Sequence, residues 1–530
     1  MDENVDEKVD ETVEEKVDER DSTDAGGAAA LDTDVIIVGA GPTGLMLAGE
    51  LLLGGARVIV VERLDEPTGQ SRGLGFTARA MEVFDQRGLL PAFGGPDGTL
   101  EISPVGHFGG LVFDYTVLEG AHFGARGIPQ SLTESVLEAW AVGLGADIRR
   151  GWEFLEVADG EGAVTLTAGT ADGVRHLRAS YLVGCDGGKS AVRKAVGFDF
   201  PGTDPTRGMY LADVVGCGLR PRFLGERLPG GMIMAAPLGE NVDRVIVVEN
   251  GTPPPDRTEE PTFAEVAGAW QRITGEDISA GTADWVGSFT DANRLVTEYR
   301  RGRVLLAGDA AHIHLPAGGQ GLSTGVQDAA NLGWKLAAVV TGWAPEGLLD
   351  TYHAERHRVG ERLMMNTATQ GMVYVGGPEM DPIREMFAEL IEYDEVKRHL
   401  AGTVSGLDIR YDFGAKDDDH PLTGRRLTPL RVDTDGGGTD TTELLHTAQG
   451  VLVDLADAAA VRAVAAPWKS RVLTVSGTVA EPEGLSAREL AGATAVLLRP
   501  DGYVAWLSTG GEDGLAEALE RWFGAPDTGA

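Results

Sequence analysis

The chain has 530 residues, 42% of them apolar, and a net charge of −37. That length exceeds one hydrophobic core and implies two or three domains, while the acidity argues against nucleic acid phosphates as a partner. No run of about eighteen apolar residues offers a membrane span, and two cysteines, Cys185 and Cys217, are too few for a disulfide framework, so a cytoplasmic location is expected.

Residues 1–24 hold twelve acids against Lys8, Lys16 and Arg20. Val5, Val9, Val13 and Val17 recur every four residues, which admits a weak helix with one apolar stripe. The reading adopted for 1–30 is a solvating disordered tail with no secretion signal. Residues 34–62 then read DVIIVGAGPTGLMLAGELLLGGARVIVVE. Strand, glycine turn, helix and second strand make a βαβ unit for the ADP half of a dinucleotide. Gly39 permits the tight turn, Gly41 lets the backbone approach a pyrophosphate, and Gly44 lets the helix pack on the sheet. Pro42 and Thr43 open the helix, whose free N–H groups face the phosphates. Glu62 ends the second strand, where it can accept from ribose hydroxyls.

Further along, 78–86 predicts a helix stopped at Gly88, 94–127 strand and loop, and 130–142 a helix. At 181–190 an apolar strand runs into Cys185, Asp186, Gly187 and Gly188. The runs MYLADVVG, GGMIMAAPLG and RVIVVE within 207–298 predict an inserted sheet that roofs the site. Met232, Ile233, Met234 and Phe289 are taken as its apolar lining, suited to a large flat molecule. A third strand, 304–307, delivers Gly308 and Asp309. A loop is expected at 318–324 and a helix at 326–340. From about 405 a small α/β domain is expected, with loops at DDDH and TDGGGTDT, strands at 450–455, 471–476, 494–499 and 504–507, and a helix near 516–522.

Asp186 and Asp309 each close an apolar strand beside glycine, a place where a helix cap or turn is the plain alternative. Asp309 stands in RVLLAGDAAHIHLPAGGQGLSTGVQDAANLGWKLA. There Asp309 can accept from ribityl or ribose hydroxyls, and Pro316 rigidifies the turn. Gly318, Gly319 and Gly321 expose N–H groups, and Gly321 and Leu322 lead into a helix whose positive end suits an electron-rich ring or anion. His312 and His314 lack a third and fourth ligand nearby, so no metal site is expected.

Three motifs now stand together: GAGPTG at 39–44, GCDGGKSAVR at 184–193 and GDAAHIHLPAGGQG at 308–321. Over residues 33–400 the chain resembles the FAD-dependent aromatic hydroxylases of the p-hydroxybenzoate hydroxylase fold. SRGLGFTARAMEVFDQRG and GQGLSTGVQDAANLGWKLA look most like the bacterial aromatic polyketide-tailoring branch. LLRPDGYVAW at 497–506 resembles that branch's C-terminal thioredoxin-like domain, here without a CxxC pair.

The resemblance implies an α/β fold: a Rossmann-like FAD-binding domain (31–200 and 295–400), an inserted β-sheet substrate domain (201–294) and a thioredoxin-like domain (405–530). It places Glu62 on the adenosine ribose, Arg63 near the pyrophosphate, and Arg72 and Gln130 along the ribityl chain or phosphates. Asp309 falls at the ribityl and pyrophosphate region, and Pro316 with 318–322, including Gly319, Gly321 and Leu322, lies against the isoalloxazine. Asp186 belongs to the motif linked to FAD and NADPH handling, with a structural role as its alternative. The implied activity is hydroxylation of a polycyclic aromatic polyketide through an FAD C4a-hydroperoxide, with NADPH as transient co-substrate and O₂ as oxidant. No general base is evident; Arg207, Tyr210 and His314 fall in or near the segments that flank the ring and are the candidates, with a structural role as the alternative for each. Baeyer–Villiger oxygenation of a polyketide ketone, or a flavoprotein that only binds an aromatic compound, are the rival readings. A monomer or homodimer is expected, with no nucleic acid or membrane partner.

Overall fold

Val38, Gly184 and Leu306 end three neighbouring parallel strands in register, Thr33–Val38, Gly173–Gly184 and Val304–Leu306. The glycine-and-acid turns that follow them therefore leave the sheet at one level. The computed structural model describes residues 30–94, 104–120, 124–254, 260–414, 420–481 and 483–527; the acidic tail lies outside them, as does most of DDDH. In space the central strands run Arg300–Arg301, Val304–Leu306, Gly173–Gly184, Thr33–Val38, Val58–Glu62 and Asp147–Arg150. All the pairings are parallel except that of Arg300–Arg301. Their runs of Val, Ile and Leu are buried on both faces, as parallel strands covered by helices require.

Helix Pro42–Leu53 packs along Gln320–Val340, and glycines set the approach: a Cβ at Gly333 would lie 2.3 Å from that of Glu50. Gln320–Val340 begins six residues earlier than the sequence pattern suggests. Gly318 and Gly319 both adopt left-handed φ, +70° and +66°, and turn the chain straight into the helix at Gln320.

The inserted sheet is antiparallel, in the order Arg222–Leu228, Gly231–Gly239, Val242–Glu249, Gly208–Val215, Thr282–Thr290. Helix Phe263–Thr274 covers one face with Trp270, and is held at its start by a Thr262–Glu265 capping box. Sequence reading missed this helix. The other face of the sheet turns toward Leu315, Ala317 and Tyr374.

The C-terminal sheet runs Val472–Ser476, Gly450–Asp454, Ala495–Leu498, Val504–Ser508, with the first pair parallel and the rest antiparallel, backed by helix Leu515–Phe523. TDGGGTDT, read as a loop, is a hairpin instead: Arg431–Thr434 pairs with Gly437–Asp440 around the glycines. Arg87 joins this unit to the rest. It forms a buried pair with Glu50 (2.7 Å) and donates to the carbonyls of Leu445 and Pro500. Among the described residues no helix is long and apolar enough to cross a membrane.

Candidate active site

The three turns meet by direct contact. A Cβ on Gly39 (φ +107°) would fall 2.5 Å from the Cys185 carbonyl oxygen, and one on Gly44 2.0 Å from the Gly39 carbonyl oxygen. Thr43 fills the notch left by Gly308 and Gly325, where added Cβ atoms would stand 2.6 and 2.3 Å from its hydroxyl. Arg193 stitches the second turn to the third: its guanidinium donates to the carbonyls of Gly188 and Ala310 and lies 3.9 Å from the Phe200 ring centre.

Gly41 differs from its neighbours. Its φ is an ordinary −78° and a Cβ there would meet nothing within 4 Å. Nothing inside the fold demands glycine at this helix start, so the bare backbone faces outward, as close approach of a pyrophosphate requires. Glu62 accepts from the Ala40 and Leu64 N–H groups at 2.9 and 3.0 Å, which fixes its carboxylate beside that turn. Arg63 and Arg72 are exposed, with no ion pair among the described residues. Gln130 accepts from the Gly73 N–H and donates to Glu134. Asp309 keeps exposed surface, yet the protein around it desolvates its carboxyl and pushes its pKa up, with His312 opposing and Asp328 adding. Its carboxylate has no hydrogen-bond partner among the described residues. An outward glycine turn, two free guanidiniums and an unpartnered acid fit FAD.

Asp186 is accounted for without a cofactor. Its two oxygens accept from the Ser190 hydroxyl and from the Ala191 and Val192 N–H groups, opening helix Ala191–Val196. Cys185 is buried, and burial, then Asp186 and Asp328, push its thiol well up. A maleimide titration at pH 8 is therefore expected to modify at most one thiol per folded chain, the half-buried Cys217. The second should react only after unfolding; two rapid reactions would contradict this burial.

Pro316 is exposed, and Ala317–Gly319 is a tight turn, left-handed at Gly318 and Gly319, ahead of Gln320–Val340. Gly321 and Leu322 therefore lie inside the first turn of that helix, and Leu322 packs under Gly73. His314 donates Nδ1–H to the Leu315 carbonyl at 2.8 Å, leaving a lone pair on Nε2 near Gly321. Burial, against that bond, holds its pKa at about 4. Arg207 donates to the Val375 carbonyl and ties the inserted sheet to the end of helix Asp350–Val375.

Two expectations are corrected here. Side chains alternate across a strand, so Met232 and Met234 turn with Phe289 toward Leu315, Ala317 and Tyr374 beside the third turn, whereas Ile233 packs on the opposite face against Trp270. Tyr210 lies on that same far face and does not flank the ring.

Sequence reading missed Asp328. It is fully buried beneath the third turn, accepting from the Gly308 N–H (3.1 Å), His312 Nε2–H (2.9 Å) and Arg356 Nε–H (2.6 Å). Burial opposes its charge, but Arg356 and then His312 outweigh that and hold its pKa below the usual range. The only hint in the sequence was a single acid within helix Gln320–Val340. A cavity of about 200 Å³ lies behind the same helix, where the unpartnered oxygens Gln327 Oε1 and Asp408 Oδ1 face Asn366, Arg362 and Tyr411. Its lining is mixed, with polar atoms and volume enough for ordered water. Among the described residues no group of His, Cys, Asp or Glu could hold a metal ion.

The family model for the FAD binding domain matches residues 32–367, and that for the aromatic-ring hydroxylase C-terminal region matches 420–526. A 12-dehydrotetracycline 5-monooxygenase/anhydrotetracycline 6-monooxygenase of Streptomyces rimosus subsp. rimosus is 41% identical, over 93% of this chain and 99% of that protein. A rifampicin monooxygenase of Streptomyces venezuelae is 42% identical, over 94% and 100%. Among solved structures, CabE, an aromatic hydroxylase from angucycline biosynthesis, is 58% identical with a TM-score of 0.89, covering 93% of this chain and all of that one.

Proposed function

Because this chain belongs to the FAD-binding aromatic-ring hydroxylases, we propose that it inserts one oxygen atom from O₂ into a polycyclic aromatic polyketide. The observation that carries this reading is the meeting of three cofactor turns beside an apolar wall of Met232, Met234 and Phe289. FAD held on these turns would supply the redox chemistry, hydride acceptance from NADPH and activation of O₂ toward an electron-rich ring carbon. The chain's own work is placement and dryness. The Gly41 turn and the free N–H groups of the helix's first turn after Pro42 would hold phosphate oxygens. The N-terminus of Gln320–Val340 puts a positive field at the third turn. The wall of Met, Phe and Leu excludes water and accepts a flat aromatic face.

Supporting the domain assignment, the two family matches stop on either side of residues 368–419. We assign 201–294 as the substrate sheet, and 405–530 as a thioredoxin-like unit that is structural rather than redox-active. A cytoplasmic location is part of this reading, supported by two unpaired cysteines.

The test is product mass spectrometry from FAD-loaded protein, NADPH, ¹⁸O₂ and a panel of tetracyclic and angular polyphenols. A product carrying one labelled oxygen on an intact ring system is expected. Ring expansion would replace hydroxylation with Baeyer–Villiger chemistry, and NADPH consumption yielding only H₂O₂ across the panel would reject the proposed substrate class.

A further inference from the structure

Strands Val105–Phe108 and Leu111–Asp114 form a hairpin over the end of helix Asp350–Val375. Its turn is Gly109 and Gly110, with left-handed φ of +55° and +80°. A Cβ at Gly109 would stand 2.9 Å from Val373, and one at Gly110 3.0 Å from the Tyr374 ring, so only glycine allows this approach. The Gly109 N–H donates to Gln370 Oε1 at 3.1 Å, and Arg384 donates to the Gly109 carbonyl at 2.8 Å. A turn fixed on both its donor and acceptor sides is a rigid mount.

What it mounts is His107. The Gly110 N–H donates to His107 Nδ1 at 3.2 Å. A backbone N–H is only a donor, so Nδ1 carries the lone pair and the ring proton resides on Nε2. Along the strand, Gly106 and Phe108 turn toward Phe113 and Tyr115. His107 points the other way, its ring 5.7 Å from that of Tyr374. Tyr374 packs with Met232, Met234, Phe289 and Leu315 in the apolar wall beside the third turn, and the hairpin also lies against the Ala317–Gly319 turn. Burial lowers the His107 pKa and keeps the ring neutral near neutral pH. Among the described residues, Nε2 has no hydrogen-bond partner. The result is one oriented donor at the edge of an otherwise apolar wall.

We propose that His107 donates its Nε2–H to a ring carbonyl oxygen of the aromatic substrate, and so sets which ring carbon is presented for oxygenation. The assignment rests on the aromatic-hydroxylase reading of the same cleft. It makes His107 a specificity-determining residue rather than an acid or base.

The test uses full-length, FAD-loaded wild type, His107→Ala and His107→Gln. Glutamine is chosen because its amide nitrogen reaches the position of Nε2–H. The probes are alizarin and its carbonyl-free counterpart, an anthracenediol, with binding read from the perturbation of the flavin absorbance. The alizarin Kd is expected to rise about tenfold in His107→Ala, the weight of one hydrogen bond, and to return to within about twofold of wild type in His107→Gln. The diol, lacking the quinone oxygens, should lose less in His107→Ala. Equal alizarin affinity in all three proteins overturns the His107 assignment alone. A wild type that binds neither probe removes the aromatic-substrate reading and this assignment with it.

Discussion

Replacing Arg499 with methionine is expected to destabilise the protein by about 3–5 kcal/mol, the usual consequence of leaving a buried charge unpaired. Set against a typical domain stability of about 5–15 kcal/mol, that is enough to deplete the folded population. Arg499 is fully buried. It donates to both oxygens of Glu355 at 2.7 and 2.9 Å and to Asp501, and lies 4.6 Å from the Trp522 and 4.8 Å from the Phe413 ring centres. Lys335 and Asn331 donate to the same Glu355 oxygen. Two carboxylates thus balance two cations, and methionine leaves the site with one negative charge in excess. The check is urea unfolding of the FAD-loaded proteins, with Arg499→Met/Glu355→Gln alongside; the double variant should recover part of the loss. An Arg499→Met curve within about 1 kcal/mol of wild type would sink the account.

The same cluster predicts a pH dependence. Burial opposes the charge of Glu355, but Arg499 and then Lys335 overcome it and hold the pKa at about 2, against an ordinary 4.5. A carboxyl depressed on folding contributes stability that is complete above its unfolded value and is lost as pH falls toward its folded one. Wild type should therefore weaken between about pH 4.5 and 2 through this group. Without Arg499 that acid limb should shrink.

Replacing Gly41 with valine is expected to give a folded, colourless protein whose FAD affinity falls at least about 100-fold, from the loss of one or two charge-assisted phosphate bonds. The backbone at Gly41 (φ −78°, ψ 179°) suits a β-branched residue, and its Cβ meets no protein atom. Apo stability should stay within about 1 kcal/mol of the wild-type apoprotein, as for a surface substitution. Gly44→Val is the contrast: its Cβ would overlap the Gly39 carbonyl, so it should fail to fold. Flavin content after gel filtration and thermal unfolding of the apoproteins separate the two. Stoichiometric yellow cofactor in Gly41→Val would mean that the pyrophosphate does not sit at this turn.

The strands that carry the motifs were legible because their signals are local. Apolar runs ending in Gly39, Gly184 and Gly308 name three strand ends, and parallel pairing brings such ends to one edge of the sheet. The inserted strands were legible for the same reason. Their facing was not: Met232, Ile233 and Met234 look alike as apolar residues, and only the packing of Trp270 on one side of the sheet decides which turns inward. The start of Gln320–Val340 lay earlier than the pattern suggests because its first six residues, all polar or glycine except Leu322, carry weak helical signal, whereas the left-handed pair Gly318 and Gly319 is seen only in the folded backbone.

What the sequence by itself determined is the cofactor cradle and the class of fold, since each turn is specified within a dozen residues by glycine's steric freedom and strand periodicity. Only the tertiary structure decided the buried charge partners. Asp328 with Arg356, Glu50 with Arg87, and Glu355 with Arg499, which lie 144 residues apart, pair across elements whose contact no local pattern encodes. Desolvation makes each of those charges untenable alone, so the chain must bring its partner from wherever the topology returns it.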